Sequence, residues 1–145
     1  MPGEDPEVRE SHSIRVEADG ILTTFVSEVS GLRLEREVIE LQQTGPDGTT
    51  MVTRLPGRLR SGEVALTRVR GADDGFERWM RDPDLGEKGG STVTVTVFDE
   101  VQQRVAAHVL TDAWPRRLDL GGLTAGTPSV LTETLTLVYA TLLPG

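Results

Sequence analysis

The residues of this sequence that could do chemistry are few and stand far apart. The two histidines, His12 and His108, lie at unrelated places, whereas a metal site or a catalytic triad is assembled from several such residues. Asp99 and Glu100 are adjacent at the end of a predicted strand, where side chains point apart and cap backbone donors. We therefore predict no catalytic residue and no metal site, with His12 on the surface and His108 on a strand face.

Three glycines, Gly86, Gly89 and Gly90, resemble a phosphate-binding loop in their spacing alone. Such a loop follows a strand and opens a helix, and that order of elements is not predicted around them. The sequence has no cysteine, which excludes a disulfide framework and thiolate metal ligands. We predict that the protein uses no cofactor.

The charged residues argue against a nucleic-acid partner and leave open the roles of a small arginine cluster and of Glu133. A formal net charge of −8 argues against specific nucleic-acid binding, which relies on clustered lysine and arginine. Arg58 and Arg60, with Arg54 upstream, form a small basic cluster that either meets an acidic patch on a neighbouring copy or is a solvated loop. Glu133 is the single charged side chain after residue 119. It either pairs with an arginine across a subunit contact or is an ordinary rim charge.

The elements that position these residues are mostly strands. Alternation of apolar and polar residues predicts a mainly β fold, a barrel or sandwich of seven to nine antiparallel strands. The clearest alternation, in residues 91–99, places valines on one face and threonines on the other. The apolar residues of 32–44 fit neither the helical nor the strand period cleanly. The turn at 44–48 and the β-rich stretch at 49–54 nevertheless favour a long hairpin. The threonine face comprises Thr92, Thr94 and Thr96, and it is expected to be wetted or partly covered.

Residues 55–82 are the one stretch where the hydrophobic period changes. Leu55-Pro56-Gly57 predicts a tight turn that ends strand pairing, because proline lacks a backbone donor and glycine permits positive φ. One short α-helix is predicted around residues 73–82, with Asp73 or Asp74 as its cap and with Asp74 and Glu77 fitting a capping box. Its packing face comprises Phe76, Trp79 and Met80.

The bulk composition suits a single globular unit. Residues 1–10 have the composition of a flexible N-terminal arm, and residues 11–145 are expected to form one domain. The start of the chain lacks the basic and apolar segments of a signal peptide, and no apolar run is long enough to span a membrane. We expect synthesis in the cytoplasm and no membrane insertion by the monomer.

An ordered set of motifs resembles one family. The motifs are Phe25–Gly31, Leu55-Pro56-Gly57, Val64–Arg68 followed by a short helix with Trp79, Asp112–Pro115, and Glu133–Leu137. In this order and spacing, across residues 12–142, the chain resembles the inner tube proteins of contractile phage tails and related contractile injection systems. The resemblance implies a β-barrel or sandwich with one helix at its flank and no enzymatic activity.

The resemblance also implies partners. Six copies would close into a ring, and rings would stack into a hollow tube inside a sheath, attached to baseplate proteins, with an effector cargo or DNA passing through the lumen. The particle would be assembled in the cytoplasm, as a virion or as a released or intracellular injection device. We predict subunit contacts at Leu55, Pro56, Gly57, Arg58, Arg60, Trp79, Trp114 and Glu133. We predict that Thr92, Thr94 and Thr96 face the lumen.

Two alternatives remain at the level of the sequence. A tube-initiating or baseplate paralogue of the same family would form one ring without polymerising. A monomeric β-barrel that binds a small ligand belongs to a different class. It would need an aromatic-lined pocket, and aromatic residues make up only 4% of this chain.

Overall fold

The computed structural model describes residues 12–122, 125–126 and 131–145. The strands are β1 (Ser13–Ala18), β2 (Leu22–Val26), β3 (Glu28–Ser30), β4 (Arg36–Thr44), β5 (Thr50–Leu59), β6 (Gly62–Val69), β7 (Ser91–Phe98), β8 (Arg104–Leu120), β9 (Thr132–Tyr139) and β10 (Thr141–Pro144); the helices are α1 (Gly75–Met80) and α2 (Leu85–Lys88). The predicted mainly β fold of antiparallel strands is confirmed. The predicted arm at residues 1–10 lies outside the described residues, and the single domain at 11–145 stays a prediction.

Eight strands form one sheet that almost closes on itself. Its order is β2-β1-β7-β8-β9-β6-β3, with β10 also paired to β8. The first and last strands, β2 and β3, are separated along the chain by Ser27 alone, whose N–H donates to the carbonyl of Thr67 in β6 at 2.8 Å. The 17-residue β8 pairs with β7 through its first half and with β9 through its second. This long strand and the β2–β3 junction join the two halves into a flattened barrel.

The core lies inside this barrel and is mainly aliphatic. The inward side chains of the central strands are nearly inaccessible to solvent: Val16, Val64, Leu66, Val93, Val95, Leu110, Leu135 and Leu137. Each comes from a strand with the alternation that the sequence predicts, because successive side chains of a strand point to opposite faces. Burial of these side chains is the main contribution that stabilises the fold.

Helix α1 packs its aromatic residues into that core. Phe76 and Trp79 are 0% and 3% exposed, while Met80 is half-buried. The helix is shorter than predicted, and the predicted capping box is wrong. Asp74 makes no capping hydrogen bond, and its carboxylate instead accepts a bond from Arg78 Nε at 2.7 Å. The carboxylate of Asp73 accepts the first free N–H, that of Gly75, at 2.8 Å.

The described part of the chain contains ten strands and two helices, whereas seven to nine strands and one helix were expected. Ser27 divides one expected strand into β2 and β3, because the pairing partner changes at this residue. Strand β2 pairs with β1, whereas β3 pairs with β6. Helix α2 occupies an expected loop. It is a single turn held by local contacts, among them an ion pair of 2.9 Å between Lys88 Nζ and Asp82. One turn contains too few residues to show a helical period in the sequence.

Strands β4 and β5 form a separate two-stranded hairpin, as predicted. The predicted end of pairing at Leu55-Pro56-Gly57 is wrong, because β5 continues to Leu59 with Pro56 opposite Val38. Both strands of a hairpin are edge strands, and a proline is tolerated on an edge, where its missing N–H interrupts no ladder. Gly57 lies at an irregularity in the pairing, and a side chain there would come within 2.9 Å of the Glu37 carbonyl.

Candidate assembly surface

The hairpin presents an apolar face that no other described residue of the subunit covers. Its register pairs Ile39 with Leu55, and alternation places Leu41, Met51 and Thr53 on the same face. The apolar side chains of this face are between 42% and 66% exposed. No charged side chain lies on this face between residues 38 and 56. We call the set Ile39, Leu41, Gln43, Met51, Thr53 and Leu55 the hairpin face.

An isolated two-stranded sheet is at best marginally stable in water, since it has no second layer to pack on. A contiguous exposed apolar surface of this kind usually marks a contact with another molecule. Here the strands also leave their outer backbone donors and acceptors unpaired within the sheet, which favours pairing or packing with another chain. The hairpin is therefore the candidate assembly surface of this chain.

The arginines predicted for subunit contacts are paired across the hairpin itself. Arg58 Nε lies 3.4 Å from Glu37, and Arg60 Nη1 lies 3.0 Å from Glu35. Arg54 Nε lies 3.1 Å from Glu40 in the same way. These side chains are exposed, and such pairs contribute little to stability individually. They join the two strands of the hairpin, and the predicted contact of Arg58 and Arg60 with a neighbouring copy stays a prediction.

Of the other predicted contact residues, Trp79 and Glu133 lie inside the subunit. Trp79 is part of the core, and Glu133 is 1% exposed. The arginine that pairs with Glu133 is Arg68 of the same chain, at 3.3 Å. The two residues are cross-strand neighbours in β6 and β9, and both continue the inward alternation of their strands. The structure therefore differs from the prediction that Glu133 meets a neighbouring subunit or stands at a rim.

The Arg68 side chain connects the barrel to the segment before α1. Its Nη1 donates to Thr24 Oγ1 at 2.8 Å and to the carboxylate of Asp73 at 3.0 Å, and its guanidinium lies 4.0 Å from the centre of the Phe76 ring. The hydrogen bond from Gly75 N–H, and then the Arg68 guanidinium, hold the pKa of Asp73 below its ordinary value. Sequence reasoning missed Arg68. Its position in the alternation, two residues after Leu66 and four after Val64, was the signal that it points inward.

Trp114 is the predicted contact residue with the most open aromatic surface. It is 43% exposed, and with Asp112 it lines two open clefts that adjoin at these two residues. One cleft, of about 380 Å³, has Gly89 and Gly90 on its floor. Asp112 has a φ of 51°, in the left-handed region, where β8 bulges against β7. The remaining predicted contact residues, Leu55, Pro56 and Gly57, lie in β5 near the root of the hairpin.

The threonines predicted to face the lumen have unequal exposure. Thr92 is exposed, Thr94 is half-buried and Thr96 is 5% exposed. Thr96 lies directly between Arg15 in β1 and Ala107 in β8, and the Arg15 guanidinium stacks over Phe98 at 4.9 Å. The threonine face is thus wet at one end and covered at the other. Its orientation toward a lumen stays a prediction.

The candidate residues for chemistry do not form a catalytic or metal-binding constellation. His12 is exposed and lines an open cleft with Asp99 and Glu100, whereas His108 is half-buried opposite Val95. Among the described residues, no three potential ligands approach closely enough to hold a metal ion. No helix in the described part of the chain is long and apolar enough to span a membrane.

The comparison with known families identifies the family of this chain. Residues 11–142 match the family described as T4-like virus tail tube protein gp19. The chain belongs to this family. It is a structural tube protein and not an enzyme, so the predicted family and the predicted structural role are confirmed. No curated protein sequence matches the chain.

Solved structures of similar fold support the same assignment of the fold. A chain of the PVC sheath–tube complex, from an extracellular contractile injection system in its extended state, has a TM-score of 0.73 at 17% identity, covering 90% of this chain and 86% of that chain. A chain of the anti-feeding prophage tube-terminating cap has a TM-score of 0.72 at 15% identity, with coverages of 91% and 88%. A chain of the anti-feeding prophage baseplate has a TM-score of 0.61 at 21% identity, with coverages of 98% and 94%. The tail tube fold thus extends over nearly the whole of this chain.

Proposed function

We propose that this tail tube protein closes into hexameric rings that stack into the hollow inner tube of a contractile injection system or phage-tail-like particle. The observation that carries the proposal is the exposed hairpin face, which the described residues of the subunit leave without a partner surface. A stacking contact joins different surfaces of successive copies, so it does not close and propagates as a filament. The role requires no chemistry, and its mechanism is the formation of a rigid conduit.

Sheath and baseplate proteins are the proposed partners outside the tube. The fold is shared with chains of a sheath–tube complex and of a baseplate, which supports this choice. An effector cargo or DNA would pass through the lumen. The wet part of the threonine face, at Thr92 and Thr94, is the surface proposed to line it, since hydroxyl groups bind water without attracting a charged cargo. Assembly in the cytoplasm is part of the same proposal.

Electron microscopy of the purified protein tests this proposal directly. Sixfold rings stacked into tubes are the expected result over a range of protein concentrations. Single rings that never stack would instead identify a tube-initiating or baseplate role. A monodisperse monomer at high concentration would contradict the proposal and favour the ligand-binding alternative.

A further inference from the structure

The exposed arginines provide a second, independent indication of a contact between copies. The arginine side chains of the described residues bond within the chain to carboxylates, hydroxyls or backbone carbonyls, with two exceptions. Arg33 and Arg81 are exposed and have no ion pair or hydrogen bond with another described side chain or carbonyl through their guanidinium groups. In a chain with a net charge of −8, an unpaired arginine is well suited to meet a carboxylate on another copy.

The cleft at Trp114 and Asp112 has the chemistry that receives an arginine. The Trp114 indole offers an open aromatic face, and guanidinium groups stack on such faces. The Asp112 carboxylate lies beside it in the lining of the same cleft and adds a negative charge. The glycine floor leaves about 380 Å³ of open volume, enough for a long extended side chain.

This cleft is also held rigid by the backbone around it. The N–H of Gly90 donates to Asp112 Oδ1 at 3.1 Å, which leaves the second carboxylate oxygen for another donor. A side chain at Gly90 would collide with Asp112, so this close approach requires glycine. The left-handed conformation of Asp112 is one that aspartate and asparagine adopt more readily than most residues. A preorganised site loses little conformational entropy when it binds.

We propose that the cleft of Trp114 and Asp112 binds Arg81 of a second copy of this chain. Arg81 lies at the end of α1 and lines a different cleft, with Met80, Leu118 and Leu120. The backbone of Arg33 lies beside the Trp114 cleft, because its carbonyl accepts a hydrogen bond from Tyr139 at 3.4 Å and Tyr139 lines the adjoining cleft. A contact that repeats around a ring or along a tube joins two different patches, which selects Arg81 over Arg33. The inference rests on the proposed function, since it names one contact of the assembly.

A double-mutant cycle on assembly tests the pair. The variants Asp112→Asn and Arg81→Gln each remove a charge while keeping the local backbone, because asparagine tolerates the left-handed region and Arg81 is exposed. Each is expected to raise the protein concentration needed for assembly by about five- to tenfold. The double variant is expected to raise it no further, since both changes remove the same contact. Trp114→Ala is expected to have a similar effect, and Trp114→Phe a smaller one.

Matched controls separate this contact from a general effect of charge. Glu87→Gln removes an exposed carboxylate from α2 next to the cleft, and Arg33→Gln removes the other unpaired arginine. Both are expected to leave the assembly concentration within about twofold of wild type, and circular dichroism checks that every variant folds.

Additive effects of Asp112→Asn and Arg81→Gln, or coupling of Asp112 to Arg33, would overturn the pairing. If wild type forms tubes and Asp112→Asn assembles normally, the pairing fails while the proposed function stands. If wild type forms no rings or tubes, the proposed function fails.

Discussion

At the scale of single residues, the most consequential arrangement is the buried pair of Arg68 and Glu133. Both side chains are almost fully inaccessible, at 4% and 0% exposure, and one Glu133 oxygen has no hydrogen-bond partner among the described residues. A buried ion pair contributes little net stability, but removal of one partner leaves the other charge unpaired in the core. Arg68 also holds Asp73 and stacks on Phe76, so it connects α1 to the sheet.

The substitution Arg68→Met is expected to lower the free energy of unfolding by about 3–5 kcal/mol, because Glu133 would remain buried without a counter-charge. Chemical denaturation at pH 8 measures this. The matched control is Arg117→Met, which removes an exposed arginine paired with Asp119 at 3.1 Å and is expected to cost at most about 1 kcal/mol. Equal stabilities of the two variants would contradict the role of Arg68.

Asp73 adds a pH dependence at the same scale. Its pKa is lowered in the folded state by the Gly75 N–H and by Arg68, so its stabilising contribution is present above the unfolded pKa and is lost as the pH falls through the folded pKa. Asp73→Asn is therefore expected to be less stable than wild type at pH 7, with the difference shrinking below about pH 4. Urea unfolding of both proteins across this pH range measures the effect. A difference that stays constant with pH would show that the charge of Asp73 has no part in holding α1.

At the scale of elements, the hairpin of β4 and β5 differs from the barrel strands in the solvent exposure of its two faces. The barrel strands alternate between a buried and an exposed face, whereas the described residues of the hairpin are exposed on both faces, apart from Glu37 and Gly57. Its ion pairs join the two strands, and its apolar side chains form an exposed surface. Under the proposed function, a neighbouring copy would cover this surface.

The substitution Ile39→Lys is expected to abolish tubes while changing the stability of the monomer by less than about 0.5 kcal/mol, because the side chain is exposed in the subunit. Electron microscopy and urea unfolding measure the two effects. The matched control is Gln42→Lys, which places the same charge on the opposite side of the same strand. Tubes of normal length from Ile39→Lys would show that the hairpin face makes no contact between copies.

At the scale of the whole molecule, assembly and subunit stability are linked. Any partner that binds the folded subunit stabilises it by mass action. The thermal midpoint of wild type is therefore expected to rise with protein concentration, by several degrees over a hundredfold range, because more of the protein is then in rings and tubes. Calorimetry measures this, with Ile39→Lys as the control whose midpoint stays constant. A wild-type midpoint that is independent of concentration would indicate that assembly contributes nothing to the stability of the fold.

Much of the fold could be predicted from the sequence because alternation and turn residues are local signals. Val93, Val95 and Val97 identified β7 without reference to any other strand, and Phe76 and Trp79 identified the packing face of α1. Two local predictions failed. Pro56 remains in a strand because that strand is an edge, and the capping box of Asp74 and Glu77 does not form because Asp73, the other predicted cap, supplies the carboxylate.

The sequence by itself determined the class of fold and the family, since both depend on residue types and their order. Only the tertiary structure decided which charges meet. Arg68 and Glu133 are 65 positions apart, and the register of β6 against β9 brings them together. The same is true of Trp114 and Asp112, whose cleft needs the glycines after α2 as its floor. Contacts between residues distant in sequence depend on strand register and on how the barrel closes, and no local pattern of residues specifies either.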